Sequence, residues 1–352
     1  MFDINFYREV YEIQKKIDNG EQFSKEELFN TFEKLRNKSP IVYNIETTNA
    51  CNMRCEMCPR TTMMTRPVTT LKKDLFIKII DQLKPFSAPE WAKWEKFCEV
   101  TYGITKNSMS ENNFFLYIIP KVIQLHGYGD PLLDKNMPDY VKLLHERNFF
   151  SYFSCNPANI DVHTTTKMFE NNLNYIKYSF ESVSDITHKK IRGNASNFSE
   201  SYKKVIELLE IKKEQNFKTT IVITMLNLNR PDQQEDFQKL REAFSGKDVY
   251  LYLKSEDQQW YRKDYHGTSS IHWSEFCKHP WMSMTIKSNG EVAMCMEDFN
   301  NEIILGDAGK ESLSDIWNGE KYRQFRWDHF NITPTMKCVE QCDMNLIGTY
   351  CR

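Results

Sequence analysis

From Pro40 onward, short apolar runs of strand-like composition alternate with stretches in which apolar residues recur at helical spacing. Strand-like runs fall near 41–47, 122–126, 149–154, 174–180, 218–224 and 248–254, and helix-like runs near 71–83, 136–148, 161–171, 199–215 and 231–244. In 199–215, Tyr202, Val205, Leu208, Leu209 and Ile211 share one side, and Ser199, or Asn197 just before it, is placed to cap the first turn. Alternating strands and helices predict an α/β fold with a parallel sheet and right-handed crossovers. Six such units predict a partial (β/α)6 barrel rather than a closed eightfold one.

The ends depart from this rhythm. Residues 1–38 predict two short amphipathic helices, with apolar stripes at Phe6, Val10, Ile13 and Ile17 and at Leu28, Phe32 and Leu35, separated by Asn19-Gly20. They carry no set of catalytic side chains. Residues 85–120 are an aromatic-rich insertion (Phe86, Trp91, Trp94, Phe97, Tyr102, Phe114, Phe115, Tyr117). It either covers the barrel mouth and shapes a substrate pocket or is a structural excursion whose rings pack. Toward the C-terminus, Trp281–Ile286, the turn Ser288-Asn289-Gly290 and Glu291–Met294 predict a hairpin. The expected organisation is a helical extension over 1–38, a barrel over 39–256 with its insert at about 85–120, and a smaller α+β hairpin-and-helix domain over 257–352.

Composition narrows the class. The 352 residues suffice for one large domain and one small one, and 40% hydrophobic and 13% aromatic content allow a substantial core. The net charge of -2, with both signs interspersed, argues against a nucleic-acid partner. No apolar run approaches membrane-spanning length, so no membrane partner is expected. Met1–Asn5 has no basic start and no long apolar segment follows it, which predicts a cytoplasmic protein. In a reducing compartment the ten cysteines point to metal or redox chemistry rather than crosslinks.

Three of those cysteines follow the first strand, in Cys51-Asn52-Met53-Arg54-Cys55-Glu56-Met57-Cys58. This C-x3-C-x2-C spacing lets three thiolates converge on one metal centre. A 4Fe–4S cube takes four ligands, so three from the protein leave one position for a small molecule that the cluster binds and activates. A structural zinc site would take four ligands in paired knuckles, and no second pair lies nearby. In parallel-sheet folds chemistry gathers at the C-terminal ends of strands, where the triplet falls.

With that triplet, the chain resembles the radical S-adenosylmethionine (radical SAM) superfamily over residues 40–352. The resemblance implies that Cys51, Cys55 and Cys58 hold a 4Fe–4S cluster chelated by S-adenosylmethionine (SAM), with Met57 packing on adenine where an aromatic is commoner. Gly127-Tyr128-Gly129-Asp130-Pro131 is similar to the family's GGEP segment, which contacts the SAM amino group; Asp130 stands where Glu is usual. Phe153-Ser154-Cys155-Asn156-Pro157 resembles its T-N-G segment without the glycine and assigns Asn156 to the nucleoside. Tyr178-Ser179-Phe180-Glu181-Ser182, with His188 and Ile191-Arg192-Gly193 downstream, is similar to its S-x-D/E and H-x-x-x-R-G segments. Ser179 and Glu181 are then candidates for ribose or methionine-carboxylate contacts. Arg192 either pairs with a carboxylate or forms a helix-surface salt bridge. Thr224 and Met225 are both expected to face the nucleoside.

A second cysteine set follows. Cys277, Gly290 and Cys295, with Cys338, Cys342 and Cys351 beyond them, resemble the opening and closing of the SPASM/twitch domains, and Leu313–Asn318 resembles the helix between. The resemblance implies one auxiliary 4Fe–4S cluster on Cys277, Cys295, Cys338 and Cys342, with Cys351 as the alternate fourth ligand. Cys98 and Cys155 match no ligand pattern. The implied activity is cleavage of SAM to a 5′-deoxyadenosyl radical, with an electron from a flavodoxin- or ferredoxin-like donor, and hydrogen abstraction from a C–H bond. One auxiliary cluster favours a two-electron oxidation (dehydrogenation) of a small polar substrate such as a sugar, aminocyclitol or nucleotide-linked sugar. The alternatives are a peptide- or protein-modifying maturase, a redox-neutral epimerase or eliminase, and a non-catalytic iron–sulfur electron carrier.

Overall fold

The computed structural model describes residues 1–105, 110–254 and 277–331. The six expected strands form: β1 (Val42–Ile45), β2 (Val122–Gln124), β3 (Phe150–Cys155), β4 (Tyr175–Ser179), β5 (Thr220–Leu226) and β6 (Tyr250–Lys254). They pair in parallel, each beside the one before it. Helices Lys73–Ile80, Met137–Glu146, Val162–Glu170, Phe198–Glu214 and Gln233–Ala243 occupy the segments their periodicity predicts. Asn197 caps Phe198–Glu214, its side chain accepting from the Glu200 amide. The helix Asp185–Arg192 escapes periodicity because it is short and buries only His188 and Ile191. Three helices end on an asparagine in the left-handed region, Asn148, Asn172 and Asn216, with φ of 61°, 65° and 56°. Each stops its helix and turns the chain into the next strand.

The sheet does not stop at β1. β7 (Met284–Ile286) pairs with β1 in parallel, and β8 (Glu291–Ala293) and β9 (Ile304–Asp307) extend it antiparallel. The C-terminal hairpin, read from sequence as a unit of its own, thus completes the sheet of the barrel. β1 is buried on both faces, so its outer N–H and C=O groups need partners; the Met284 amide donates to Ile41 O and the Glu46 amide to Ile286 O, both at 2.8 Å.

Side-chain alternation divides the core in two. Val42, Ile123, Phe153, Ile176 and Ile223 face the barrel helices with Phe76, Val141, Leu208 and Leu240. Tyr43, Val122, Tyr152, Val222 and Tyr252 face the other way, onto Phe6 and Phe32 of helices Ile4–Asp18 and Lys25–Leu35 and Trp94 of helix Ala88–Tyr102. Most of the insertion's rings therefore pack: the Trp94 indole donates to Leu116 O at 2.7 Å. Its last part, a π-helical turn over Phe114–Ile118, brings Phe114 and Phe115 into the inner cavity. Ile17, placed on the first apolar stripe, is 37% exposed, because its helix runs out past the body it packs on.

Candidate active site

A cavity of about 310 Å³ opens inside the sheet. Residues of β1, β2, β3, β4 and β6 line it, including Tyr43, Gln124, Tyr152, Lys177 and Lys254, so the sheet curves around it. Cys51, Cys55 and Cys58 line the same cavity, with Met57, Gly127, Gly129, Asp130, Asn156, Ser179 and Arg192. Of the barrel's candidate residues, Glu181, Thr224 and Met225 do not line it.

Backbone bonds hold the cysteine loop to its neighbours. The amides of Arg54 and Glu56 donate to the carbonyls of Arg192 and Ile191, both at 2.9 Å, satisfying acceptors that the end of helix Asp185–Arg192 leaves free. Gly193, at φ 92°, lets the two segments meet: a Cβ there would stand 3.0 Å from Arg54 Cβ. From the other side, the Asp130 amide donates to Ala50 O at 2.8 Å.

Arg192 and Glu181 form a buried ion pair rather than a bridge on a helix surface. Arg192 also donates to Cys55 Sγ at 3.6 Å. Glu181 accepts from the Leu226 amide at 2.9 Å with its other oxygen and does not line the cavity. Its observed part is to hold Arg192 and β5. Asp130 is likewise engaged by the protein: its carboxylate accepts from the amides of Leu132 (3.0 Å) and Asn156 (3.1 Å) and from Asn159 Nδ2 (2.7 Å). Burial raises its pKa against these bonds. Asn156 is fixed in turn by Ser196 Oγ at 3.1 Å, which meets His188 Nδ1 at 3.1 Å. Thr224 is buried on the cavity side, but Met225 packs among the barrel helices. The pleat forbids two successive strand residues from facing one ligand, which corrects the sequence reading.

Gly127 and Gly129 are required by packing between loops. A Cβ on Gly127 would overlap the Glu46 carboxylate, and one on Gly129 would overlap the Thr48 carbonyl and come within 2.7 Å of Asn49 Cα. Gly129→Ala is expected to destabilise the fold by about 1–3 kcal/mol by overpacking, read from denaturant midpoints. An unchanged midpoint would mean that the loops part freely.

Sequence reasoning missed several residues. Glu46, wholly buried, accepts from the Tyr128 amide (3.0 Å), Arg66 Nη2 (2.5 Å), and the Ser288 amide and hydroxyl (3.1 and 2.9 Å). Burial works against its charge, but Arg66, Lys287 and the Tyr128 amide prevail and hold its pKa below the ordinary value. His126 accepts from the Ser154 amide at 3.2 Å through Nδ1, and burial, then Lys177 and Lys254, push its pKa down to about 3. Glu297 accepts from the Tyr128 hydroxyl at 3.0 Å, and burial raises its pKa. Lys177 was missed too, and parity was its available signal: it interrupts an apolar strand at a position two before Ser179, on the same face.

The donors suit an iron–sulfur cluster. Burial pushes the Cys58 thiol up to about 12 and the Cys51 thiol up as well, and the neighbouring cysteines add to both shifts. Thiolates crowded in this way need positive charge between them, which iron supplies. Among the described residues no three His, Cys, Asp or Glu side chains close on a single metal ion. Cube ligands each bind a different iron, so they stand further apart than the ligands of one ion. Of the second set, Cys277 and Cys295 are half-buried at the two ends of the β7–β8 hairpin segment. His329 hydrogen-bonds the Cys277 backbone and Tyr322 is within electrostatic reach of Cys295, so one helix, Glu320–Phe330, borders both. Cys338, Cys342 and Cys351 lie outside the described residues.

Residues 119–263 match the family model described as Radical SAM superfamily, and residues 277–343 the model described as the iron–sulfur cluster-binding SPASM domain. The cysteine loop precedes the first match. The S-adenosyl-L-methionine-dependent 2-deoxy-scyllo-inosamine dehydrogenase of Niallia circulans is 38% identical over 52 residues, 13% of this chain; the alignment spans 21% of that relative's length. Among solved structures, SuiB of Streptococcus suis aligns with a TM-score of 0.54 at 12% identity, over 92% of this chain and 79% of that one. The structure of anSMEcpe with bound AdoMet aligns with a TM-score of 0.51 at 12% identity, over 85% of this chain and 87% of that one. At these identities the likeness is one of fold.

Proposed function

Because the chain is a radical SAM enzyme with a C-terminal SPASM domain, we propose that this oxidoreductase dehydrogenates a carbon bearing a hydroxyl or amino group in a small polar substrate, such as a sugar, aminocyclitol or nucleotide-linked sugar. The observation that carries the reading is the meeting of the cysteine loop, the Gly127–Asp130 segment and the polar inward residues of β3, β4 and β6 around one cavity. When bound, a 4Fe–4S cluster and SAM supply a 5′-deoxyadenosyl radical that takes a hydrogen atom from a C–H bond. Cys51, Cys55 and Cys58 would hold the cluster, and Met57, Gly127, Gly129, Asn156 and Ser179 would border SAM. Arg192 sets positive charge beside the Cys55 sulfur, Asp130 fixes the surrounding loops, and Phe114, Phe115 and Tyr152 exclude water. Cys277, Cys295, Cys338 and Cys342, or Cys351 in place of the last, would hold one auxiliary 4Fe–4S cluster, the site for the second electron. A flavodoxin- or ferredoxin-like protein in a reducing cytoplasm would supply the first.

The size of the cavity and its lysine, histidine and glutamate lining support a small polar substrate, as does the activity of the Niallia circulans relative. The test is anaerobic reconstitution with dithionite and SAM. 5′-Deoxyadenosine should form, and iron should reach about eight per chain. No 5′-deoxyadenosine would leave only the electron-carrier reading. About four iron would remove the auxiliary cluster and about twelve would require two. Deuterium moving into 5′-deoxyadenosine from labelled sugars or aminocyclitols, and not from peptides, would fix the substrate class; the reverse would establish a maturase.

A further inference from the structure

We propose that the cavity contains an oxyanion receptor built on Lys177 and Lys254, which binds a phosphate or carboxylate group of the substrate. It rests on the dehydrogenation reading only for the identity of the molecule that carries the anion. Lys177, on β4, is 8% exposed and lines the cavity. It forms no ion pair among the described residues, and its ammonium stands over the rings of Phe114 (5.5 Å) and Tyr152 (5.9 Å). Ring faces favour the protonated amine but leave its three N–H donors without acceptors. Lys254, at the end of β6, lines the same cavity.

The surroundings leave Lys177 without an ion pair among the described residues, while Glu111, Glu297 and Glu181 act on Lys254. Lys254 and Arg192 act on Lys177 as cations, and His126 beside it is held neutral. Of the two carboxylates that act on it, Glu181 is taken up by Arg192, and Glu111 lies outside the cavity lining. Tyr152 and Cys155 are both held protonated by burial, and burial also raises the pKa of Glu297, which lines the cavity and acts on Lys254. Burying an ammonium without a counter-charge is unfavourable, and such groups gather where function uses them. Two cations on one wall match the two or three oxygens of an anion. A lone proton acceptor would gain nothing from a second cation.

The protonation of Lys177 supplies the test. Burial, then Lys254, bring its pKa down to about 7. An anion favours the charged amine, so binding should take up a proton and weaken as pH rises above that value. Calorimetric titration of the anaerobically reconstituted enzyme would use sulfate, a non-titrating stand-in for phosphate, and malonate. Binding of at least one is expected, with net proton uptake, and at least about tenfold weaker at about pH 8.5 than at about pH 6.5. The tighter of the two identifies the group. Lys177→Met should weaken binding about tenfold or more and raise the thermal midpoint, since it removes an unpaired buried charge. Lys177→Arg should bind with little pH dependence, because arginine stays charged.

The receptor is refuted if neither anion binds, if Lys177→Met binds as the parent does, or if parental affinity is level or rises with pH. Turnover that grows through about pH 7 and is lost in Lys177→Arg would instead make Lys177 a proton acceptor. None of the binding measurements depends on 5′-deoxyadenosine formation, so the receptor and the dehydrogenation reading fail separately.

Discussion

Replacing Cys51, Cys55 and Cys58 together by alanine should abolish 5′-deoxyadenosine formation and remove about four iron per chain, while the protein stays folded. The two halves of this result have separate physical causes. Chemistry needs three sulfurs to hold iron, and no other cysteine of the loop replaces them. The loop's course does not need them: amides of Arg54 and Glu56 bind the end of helix Asp185–Arg192, and Ala50 O takes the Asp130 amide. Only Cys55 is fully buried, and trimming one small side chain there costs about 1 kcal/mol. Far-UV circular dichroism, iron analysis and the SAM cleavage assay check all three parts. Retained cleavage would overturn the site. Lost folding would show that the loop is organised by metal instead of backbone.

Glu46→Ala should lower stability by about 3–5 kcal/mol, the largest effect expected of any single side chain outside the cysteines. Glu46 has no exposed surface and joins three segments: the exit of β1, the Gly127–Tyr128 turn and the β7–β8 turn at Ser288. Its removal would strand Arg66, whose side chain is 7% exposed, as an unpaired buried cation. Glu46→Gln keeps the shape but not the charge and should fall between. The pKa of Glu46 in the fold lies below its ordinary value of 4.5. Its contribution is therefore fully present above about pH 4.5 and fades as pH falls through the lowered value. Chemical denaturation of the parent and both variants at neutral and acid pH measures this. A Glu46→Ala loss under about 1 kcal/mol would mean that Arg66 finds water or another acceptor.

What was legible in the sequence was whatever is local. Strand positions followed from apolar runs, helices from spacing, and the cysteine loop from eight consecutive residues. What stayed hidden depends on partners distant in the chain. Glu46 binds residues 82, 20 and 242 positions away, and no spacing rule reaches that far. Asp130 and Glu181 were seen as ligand contacts because a carboxylate in a motif looks available. Only the fold reveals that Asn156, Asn159 and Leu132 engage the first, and Arg192 and Leu226 the second. Met225 was a different kind of error, since strand parity was readable and would have separated it from Thr224. Lys177 was equally readable by parity, but a lysine inside an apolar strand has meaning only once the cavity it faces is known.

The pairing of β7 with β1 has a practical consequence for dissecting this protein. A cut between the last barrel strand and Cys277 would not release two self-sufficient pieces. It would leave the first half with a bare, doubly buried strand edge, a template for self-association, and would remove Ser288 from the Glu46 carboxylate. The two halves are better exchanged between relatives as a single cassette than assayed apart, and a truncated barrel that precipitates would reflect that seam rather than a defect in its chemistry.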